Sequence, residues 1–272
     1  MKIKIATTGS KGQIGRRLVA LGAIPLNCDI LDKNAVEKEL HRVNPDVIIH
    51  AAGMSGIDAC ADDYEKALAV NVWGTANLCK LAENKVVLLS SDQVYSGKRI
   101  FGRYGEKDEP KPVNNYGFSK LGAEAVVGLY GGKIIRLSRG FSYKIGSDIW
   151  NYINNLRQGI EVRVPTFIKR NYCHLAFVSL AVFEFANRFN EMPKVINYGS
   201  ENSMSFYDFM RAVSSAYLRN NRFVARRTSE LAGFSSRPHN CSVSVSLAKS
   251  VGLPIHSISE SIELMKEEEF DV

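Results

Sequence analysis

The chain has 272 residues, 45% apolar and 23% charged, which excludes a mostly disordered or collagen-like polymer and allows one large domain or two small ones. Thirty-five basic and 28 acidic residues give a formal net charge of +7. The basic residues fall in short clusters, Lys98/Arg99/Arg103, Lys169/Arg170 and Arg222/Arg226/Arg227. There is no long basic run and no interleaving of aromatics with basic residues, which argues against nucleic acid as a partner and fits a pocket for a diphosphate.

In chain order, Lys2 to Thr7 reads as a strand and Gln13 to Leu21 as a helix, with Ile14, Leu18 and Leu21 at helical spacing. Ile24 to Leu26 is a very short second strand, Asn34 to Val43 a helix, and Asp46 to His50 a strand of buried type. A long helix over Tyr64 to Glu83 precedes an apolar strand at Lys85 to Ser90. Asn115 to Leu129 is helical and Lys133 to Leu137 a strand. Strands alternating with helices predict an α/β fold, a doubly wound parallel sheet of Rossmann type.

After Ser138 the rhythm breaks. Helices are expected at Ile149–Leu156, Leu175–Phe189, Phe206–Leu218 and Ser244–Val251, a strand at Val195–Tyr198, and a frayed end over Lys266–Asp271. Residues 1–140 plus about 171–200 are expected to form a dinucleotide-binding domain. About 141–170 plus 201–272 would form a smaller, interleaved C-terminal substrate lobe. The helices at 64–83 and 115–129 offer a surface for a homodimer. Apolar stretches such as Val86–Leu89 fall far short of the roughly 20 residues of a membrane span, and the first residues lack a signal-peptide pattern. The expected address is cytoplasmic, with no membrane partner. Five scattered cysteines without a C-x-x-C pair predict reduced thiols, and the histidines show no metal spacing, so no metal is expected.

Strand one runs into Gly9-Ser10-Lys11-Gly12-Gln13-Ile14-Gly15 and then a helix. In this setting Gly9 allows a tight turn, Gly12 lets a pyrophosphate approach, and Gly15 lets helix pack on strand. Free N–H groups at the helix start would face the diphosphate. Lys11 is placed to meet a 2′-phosphate, whereas Asp29 and Asp32 lie near the distance at which a carboxylate holds a free ribose. NADPH is the preferred cofactor and NADH the alternative.

Tyr116 and Lys120 stand at i, i+4 and share a helix face. Upstream, the strand Val86–Leu89 ends in Ser90-Ser91-Asp92. Hydroxyl, phenol and ammonium are what carbonyl reduction needs. Ser91 polarises the ketone oxygen, Tyr116 supplies the proton, and Lys120 lowers the phenol's pKa. His50 reads as a packed strand-end residue, while His174 and His239 are candidates for touching a substrate.

Together these motifs resemble the extended short-chain dehydrogenase/reductase superfamily, and within it the dTDP-4-dehydrorhamnose reductase family, over almost the whole chain. The resemblance rests on the glycine loop, His50-Ala51-Ala52-Gly53, Asn71-Val72 and Ser90-Ser91-Asp92-Gln93-Val94-Tyr95. It extends through Tyr104 to Pro110, Pro112 to Glu124 (with Asn115-Tyr116-Gly117-Phe118-Ser119-Lys120), Arg136-Leu137-Ser138 and Arg237-Pro238-His239-Asn240. It implies an NAD(P)H-dependent reduction of the 4-keto group of a nucleotide-activated 6-deoxy sugar, dTDP- or UDP-linked.

By the same resemblance Ser91, Tyr116 and Lys120 are catalytic. Gly9, Gly12, Gln13, Ile14, Gly15, Asp29, Ile30, Ala51, Ala52, Gly53, Asn71 and Ser90 surround the cofactor. Asp92, Gln93, Val94, Tyr95, Ser138 and Phe141 lie near the sugar or nicotinamide, and Arg237 near the diphosphate. Ser91 stands where the family has threonine and Gln93 where it often has tyrosine. The second strand is short, and Ile168–His174 lacks the family's Pro-Thr pair. Two rivals remain open: a non-catalytic NADP-binding regulatory subunit of the methionine adenosyltransferase type, and a bifunctional epimerase/reductase, for which Cys60 is a loosely placed candidate.

Overall fold

A computed structural model describes residues 3–143, 147–160, 162–217, 225–228 and 237–270. Lys2, Leu218, Arg222 and Asp271, which bound or belong to features expected above, lie outside the described residues. One sheet holds six parallel strands: β1 (Ile5–Thr8), β2 (Ile24–Pro25), β3 (Val47–His50), β4 (Val86–Ser91), β5 (Lys133–Leu137) and β6 (Val195–Tyr198). Their order is β6-β5-β4-β3-β1-β2. This is the expected α/β doubly wound sheet. The strand order reverses between β1 and β3, and such a switch point opens a crevice at the carboxyl ends of the strands.

The helices are α1 (Gln13–Ala20), α2 (Lys33–Val43), α3 (Ile57–Asp62), α4 (Tyr64–Leu68), α5 (Gly74–Ala82), α6 (Asn115–Leu129) and α7 (Asp148–Arg157). They continue with α8 (Leu175–Asn187), α9 (Phe206–Tyr217), α10 (Ser246–Ser250) and α11 (Ile258–Phe270). Both sheet faces are covered, so the strands read as apolar runs whose alternate residues enter opposite layers. Val87 and Leu89 pack with Leu18, Val178 and Phe185 from α1 and α8. Val86 and Leu88 pack with Val36, Leu78 and Val127 from α2, α5 and α6. A third core gathers Phe141, Ile149, Ile153, Tyr172, Phe209, Ile258, Ile262 and Met265.

Two elements differ from expectation. The long helix over 64–83 is broken by a π-helical turn, Ala69–Trp73, between α4 and α5. Such a turn widens the helix locally. It turns buried Asn71 inward, where its amide bonds both the N–H and the carbonyl of Met54, at 2.8 and 3.0 Å.

The charged C-terminus is helical through Phe270 rather than frayed. Ile258, Ile262 and Met265, at i, i+4 and i+7, bury one face of α11. Glu268 then docks the last turn, 2.5 Å from Arg17 on α1 and accepting from the Tyr143 N–H at 3.2 Å. Among the described residues no helix is long and apolar enough to cross a membrane.

Candidate active site

The crevice is a cavity of about 610 Å³. Gly9, Gly12, Gln13, Ile14 and Gly15 form one wall, Ala51, Ala52 and Gly53 the turn after β3, and Ser90, Ser91, Asp92 and Gln93 the end of β4. Tyr116, Lys120, Ser138 and Phe141 complete the set of expected residues on its surface. Lys11, Asp29, Ile30, Asn71, Val94, Tyr95 and Arg237 stand outside this wall.

The glycine loop is shaped for close approach. Gly9 has φ +65°, and a Cβ there would meet the Ala52 backbone N at 2.7 Å. A Cβ on Gly15 would fall 2.1 Å from the Gly9 carbonyl oxygen. Gly12 leads into α1 without any side-chain cap, so the first N–H groups of the helix keep their donors for a ligand. This cradle fits the diphosphate of a dinucleotide.

The ribose corner is less defined. Lys11 and Asp29 are both exposed. The Asp29 carboxylate accepts the Leu31 N–H at 2.9 Å, and Asp32 caps α2 by accepting from Asn34 and Ala35. Ile30 is buried against Gly74, where a Cβ would come within 2.7 Å of its side chain. Asn71 acts at one remove from the cavity, joining Met54 to Ser119, whose hydroxyl accepts its amide at 2.8 Å.

Ser91, Tyr116 and Lys120 come together because two elements meet end to side. Asn114 caps α6 by accepting the Gly117 N–H at 2.8 Å. Gly117 lets the first turn of that helix lie against Gln93, whose carbonyl oxygen would be 2.2 Å from a Cβ. Tyr116 is thereby placed in hydrogen-bond contact with Ser91. Burial pushes the Tyr116 phenol up to about 12, against the Ser91 bond and with the help of Asp92 and Cys60. Lys120 is buried, and burial pulls its ammonium down to about 8 against the opposing pull of Glu124 and Cys60.

The other end of the cavity is built around Asp92, which is 3% exposed. Its Oδ1 accepts from Gln93 Nε2 at 2.9 Å, and its Oδ2 accepts from Ser138 Oγ at 3.0 Å. Arg170 Nε lies 3.3 Å from the same Oδ2. The Gln93 Oε1 accepts from Asn114 Nδ2 at 3.2 Å, which ties this end to the α6 cap.

Val94 and Tyr95 belong to the core. The Tyr95 hydroxyl donates to Asn197 Oδ1 at 2.9 Å, and its ring stacks on Tyr104 at 4.5 Å. Arg237 makes a two-pronged ion pair with Asp58 of α3, at 3.0 and 2.6 Å.

His50 and His174 are occupied within the protein, whereas His239 is exposed. His50 is buried, with Nδ1 2.7 Å from Thr8 Oγ1 and Nε2 3.0 Å from Thr75 Oγ1. His174 is fully buried, accepts the Ala176 N–H at its Nδ1 to cap α8, and does not reach the cavity wall. His239 packs on the Phe167 ring at 4.7 Å.

Sequence reasoning does not single out Arg170 or the Glu124–Arg136 pair as site residues. The only signal for Arg170 is its place in a short basic cluster, which reads equally well as surface.

The methionine adenosyltransferase 2 subunit beta of Danio rerio is 27% identical over 285 residues, spanning 93% of this chain and 86% of that protein. The dTDP-4-dehydrorhamnose reductase of Mycolicibacterium smegmatis is 33% identical over 139 residues, 47% of this chain and 42% of that protein. A crystal structure of dTDP-4-dehydrorhamnose reductase from Bacillus anthracis in complex with NADP superposes with a TM-score of 0.89 at 21% identity, covering 98% of this chain and 100% of that one. That structural likeness establishes the shared fold. The sequence matches the RmlD substrate binding domain over residues 2–269, and the chain belongs to that family.

Proposed function

We propose that the protein is an NAD(P)H-dependent reductase of the 4-keto group of a nucleotide-activated 6-deoxy sugar, dTDP- or UDP-linked. The observation that carries this reading is the meeting of Ser91, Tyr116 and Lys120 on one cavity with the uncapped glycine loop. A reduced nicotinamide, when bound, supplies the hydride. Gly9, Gly12 and the first N–H groups of α1 hold its diphosphate, and Ala51–Gly53 shape the opposite wall.

As charge grows on the ketone oxygen, Ser91 donates a hydrogen bond to it and Tyr116 delivers its proton. A phenol held near 12 stays protonated at neutral pH, so it is ready as an acid. The phenol is pushed up by burial and not lowered by Lys120 as the residue pattern predicts; the role left to Lys120 is to favour, through its positive charge, the phenolate that remains after transfer. Asp92, Gln93 and Ser138 face the sugar, and Arg237, outside the cavity wall and paired with Asp58, would have to leave that pair to meet the nucleotide diphosphate.

In this reading the third core, with α7, α9 and α11, belongs to the substrate lobe. The exposed Trp73 and Phe118, 66% and 48% accessible, mark the homodimer face. NADPH is preferred through Lys11, so Lys11→Ala weakens NADPH selectively over NADH. Equal weakening of both would remove that preference.

The full-length similarity to the methionine adenosyltransferase beta subunit favours a second reading, a cofactor-binding regulatory partner. Incubation with NADPH or NADH and a panel of dTDP- and UDP-linked 4-keto-6-deoxy sugars separates the two. Oxidation of the reduced nicotinamide with one of the sugars supports the reductase. Cofactor binding without turnover on any of them turns the assignment to the regulatory partner.

A further inference from the structure

Arg139 and Asp148 both line the cavity, the first just past the end of β5 and the second in the first turn of α7. Arg139 Nη2 and Asp148 Oδ2 form an ion pair across it. The Arg139 backbone is fixed, because its carbonyl oxygen accepts the Cys173 N–H at 3.0 Å. Its side chain is not packed away: 46% of it is accessible, and 51% of the Asp148 side chain. Arg170 on the same wall is the opposite case, at 4% exposed. Its Nε lies 3.3 Å from Asp92, Nη1 donates to the carbonyl oxygens of Lys169 and His239 at 2.8 and 3.4 Å, and Nη2 to that of Pro238 at 2.9 Å. Arg170 is thus built into the wall, whereas Arg139 holds a counter-ion that can be exchanged.

We propose that Arg139 is the receptor for an oxyanion of the substrate, and that Asp148 holds that oxyanion's place until it is displaced. This rests on the sugar-nucleotide reading given above. Carboxylate and phosphate each offer two oxygens to a guanidinium fork, so one can replace the other. An accessible ion pair adds little to stability, because water competes for both charges, so the Arg139–Asp148 pair opens at small cost. Asp148 keeps partners when it lets go. Its Oδ1 accepts the Ile149 N–H at 3.0 Å, and its charge stays at the N-terminus of a ten-residue helix. An oxyanion carried in on a ligand also excludes water from the fork, which strengthens the new pair. The surroundings favour a further anion: withdrawal from water lowers the Arg139 pKa, and the charges of Arg170 and Arg237 act the same way, against Tyr172 and Asp92. Arg139 also acts on the Tyr116 phenol, favouring its phenolate, which sets the guanidinium within electrostatic reach of the reacting end. The oxyanion is therefore the phosphate next to the sugar or a carboxylate on the sugar itself.

Isothermal titration of the full chain with UDP, UDP-glucose and UDP-glucuronic acid tests the exchange without requiring turnover. Arg139→Met is expected to weaken the ligand that carries the oxyanion by about tenfold, the scale of a hydrogen bond to a charged group. Asp148→Asn should tighten the same ligand by about two- to fivefold, the scale of an exposed ion pair. That gain should vanish when Asp148→Asn is combined with Arg139→Met. A loss already present with UDP assigns the oxyanion to the diphosphate. A loss with UDP-glucuronic acid alone assigns it to a carboxylate on the sugar.

If Arg139→Met fails to bind NADPH, Arg139→Lys is read in its place, since it keeps the charge and loses the fork. Unchanged affinity for all three ligands would overturn the exchange. A loss shared by UDP-glucose and UDP-glucuronic acid but absent with UDP would place Arg139 on a neutral part of the sugar and do the same. A gain from Asp148→Asn that persists without Arg139 would reduce Asp148 to general repulsion, which also overturns it. Failure of the unaltered protein to bind any of the three, with NADPH still bound, overturns the sugar-nucleotide reading itself, and the exchange falls with it.

Discussion

Glu124 accepts three bonds from Arg136, from Nε at 2.9 and 3.2 Å and from Nη2 at 2.7 Å, and a fourth from Ser90 Oγ at 2.5 Å. Both charged side chains are nearly inaccessible, at 5% and 6%. Glu124 lies one helical turn beyond Lys120, so this junction locks the Tyr116/Lys120 face of α6 onto β4 and β5. Removing one partner of a buried pair leaves the other charge uncompensated, at a cost of about 3–5 kcal/mol. Glu124→Gln is therefore expected to lower unfolding free energy by about that amount. It should also drop the Lys120 ammonium further, because the Glu124 charge now supports it. Urea denaturation checks the first effect, and an unchanged midpoint would refute it.

Gly117 and Gly128 lie on the same helix and should respond in opposite ways to alanine. At Gly117 a Cβ would be 2.2 Å from the Gln93 carbonyl oxygen, a backbone atom that cannot swing aside. The helix start must withdraw, carrying Tyr116 and Lys120 from Ser91. A displacement of about 1 Å can cost about 10²-fold in rate, so Gly117→Ala should reduce kcat on that scale with little change in circular dichroism. At Gly128 a Cβ would have nothing within 4 Å. Gly128→Ala should leave kcat alone and gain up to about 1 kcal/mol from helix propensity. Equal kcat for the two variants would count against the proposed placement of α6.

The contrast between these residues shows what is legible in the sequence. The sheet can be read because β3, β4 and β5 are short apolar runs bounded by polar turns, a pattern that burial on both faces imposes. The glycine loop and the Tyr116/Lys120 spacing are local in sequence, so they show without any tertiary contact. Arg170 cannot be recognised, because its role depends on Asp92, 78 positions earlier, and on carbonyls 68 and 69 positions later. Val94 and Tyr95 adjoin Asp92 and Gln93 in sequence, yet the turn after β4 sends them into the core. The end of α11 reads as a frayed tail because its charges hide the Ile258/Ile262/Met265 stripe, and because the partner of Glu268 is Arg17 at the other end of the chain.

His50 gives a pH signature. Burial, with Lys120 adding to it, pulls its imidazole down to about 3. In the unfolded chain a histidine titrates near about 6.5. Between these values the unfolded state binds the extra proton, so stability falls as pH falls through that window. The slope from this one group is at most about 1.4 kcal/mol per pH unit. His50→Gln should flatten the wild-type dependence of the urea midpoint between pH 6.5 and 4. An identical slope in both proteins would show that other groups, such as Glu39 held down near 2 by Arg42, dominate acid unfolding.

Lys120 and Tyr116 together predict the pH profile of turnover. In the folded protein Lys120 titrates near 8 and Tyr116 near 12. Ketone reduction needs the phenol protonated and the lysine charged, so kcat/KM should be flat below about pH 8 and fall above it, following Lys120 rather than Tyr116. Stability runs the other way: an unfolded lysine titrates near about 10.4, so the unfolded state binds the extra proton between about 8 and 10.4. Stability from this group therefore rises with pH across that interval. Lys120→Met should lose the inflection near 8 and lower kcat at every pH. Tyr116→Phe should keep NADPH binding and lose about 10²–10⁴-fold in kcat, the scale of a general acid. A Tyr116→Phe protein with normal turnover would remove the phenol from the chemistry. An inflection that persists in Lys120→Met would assign it to another group.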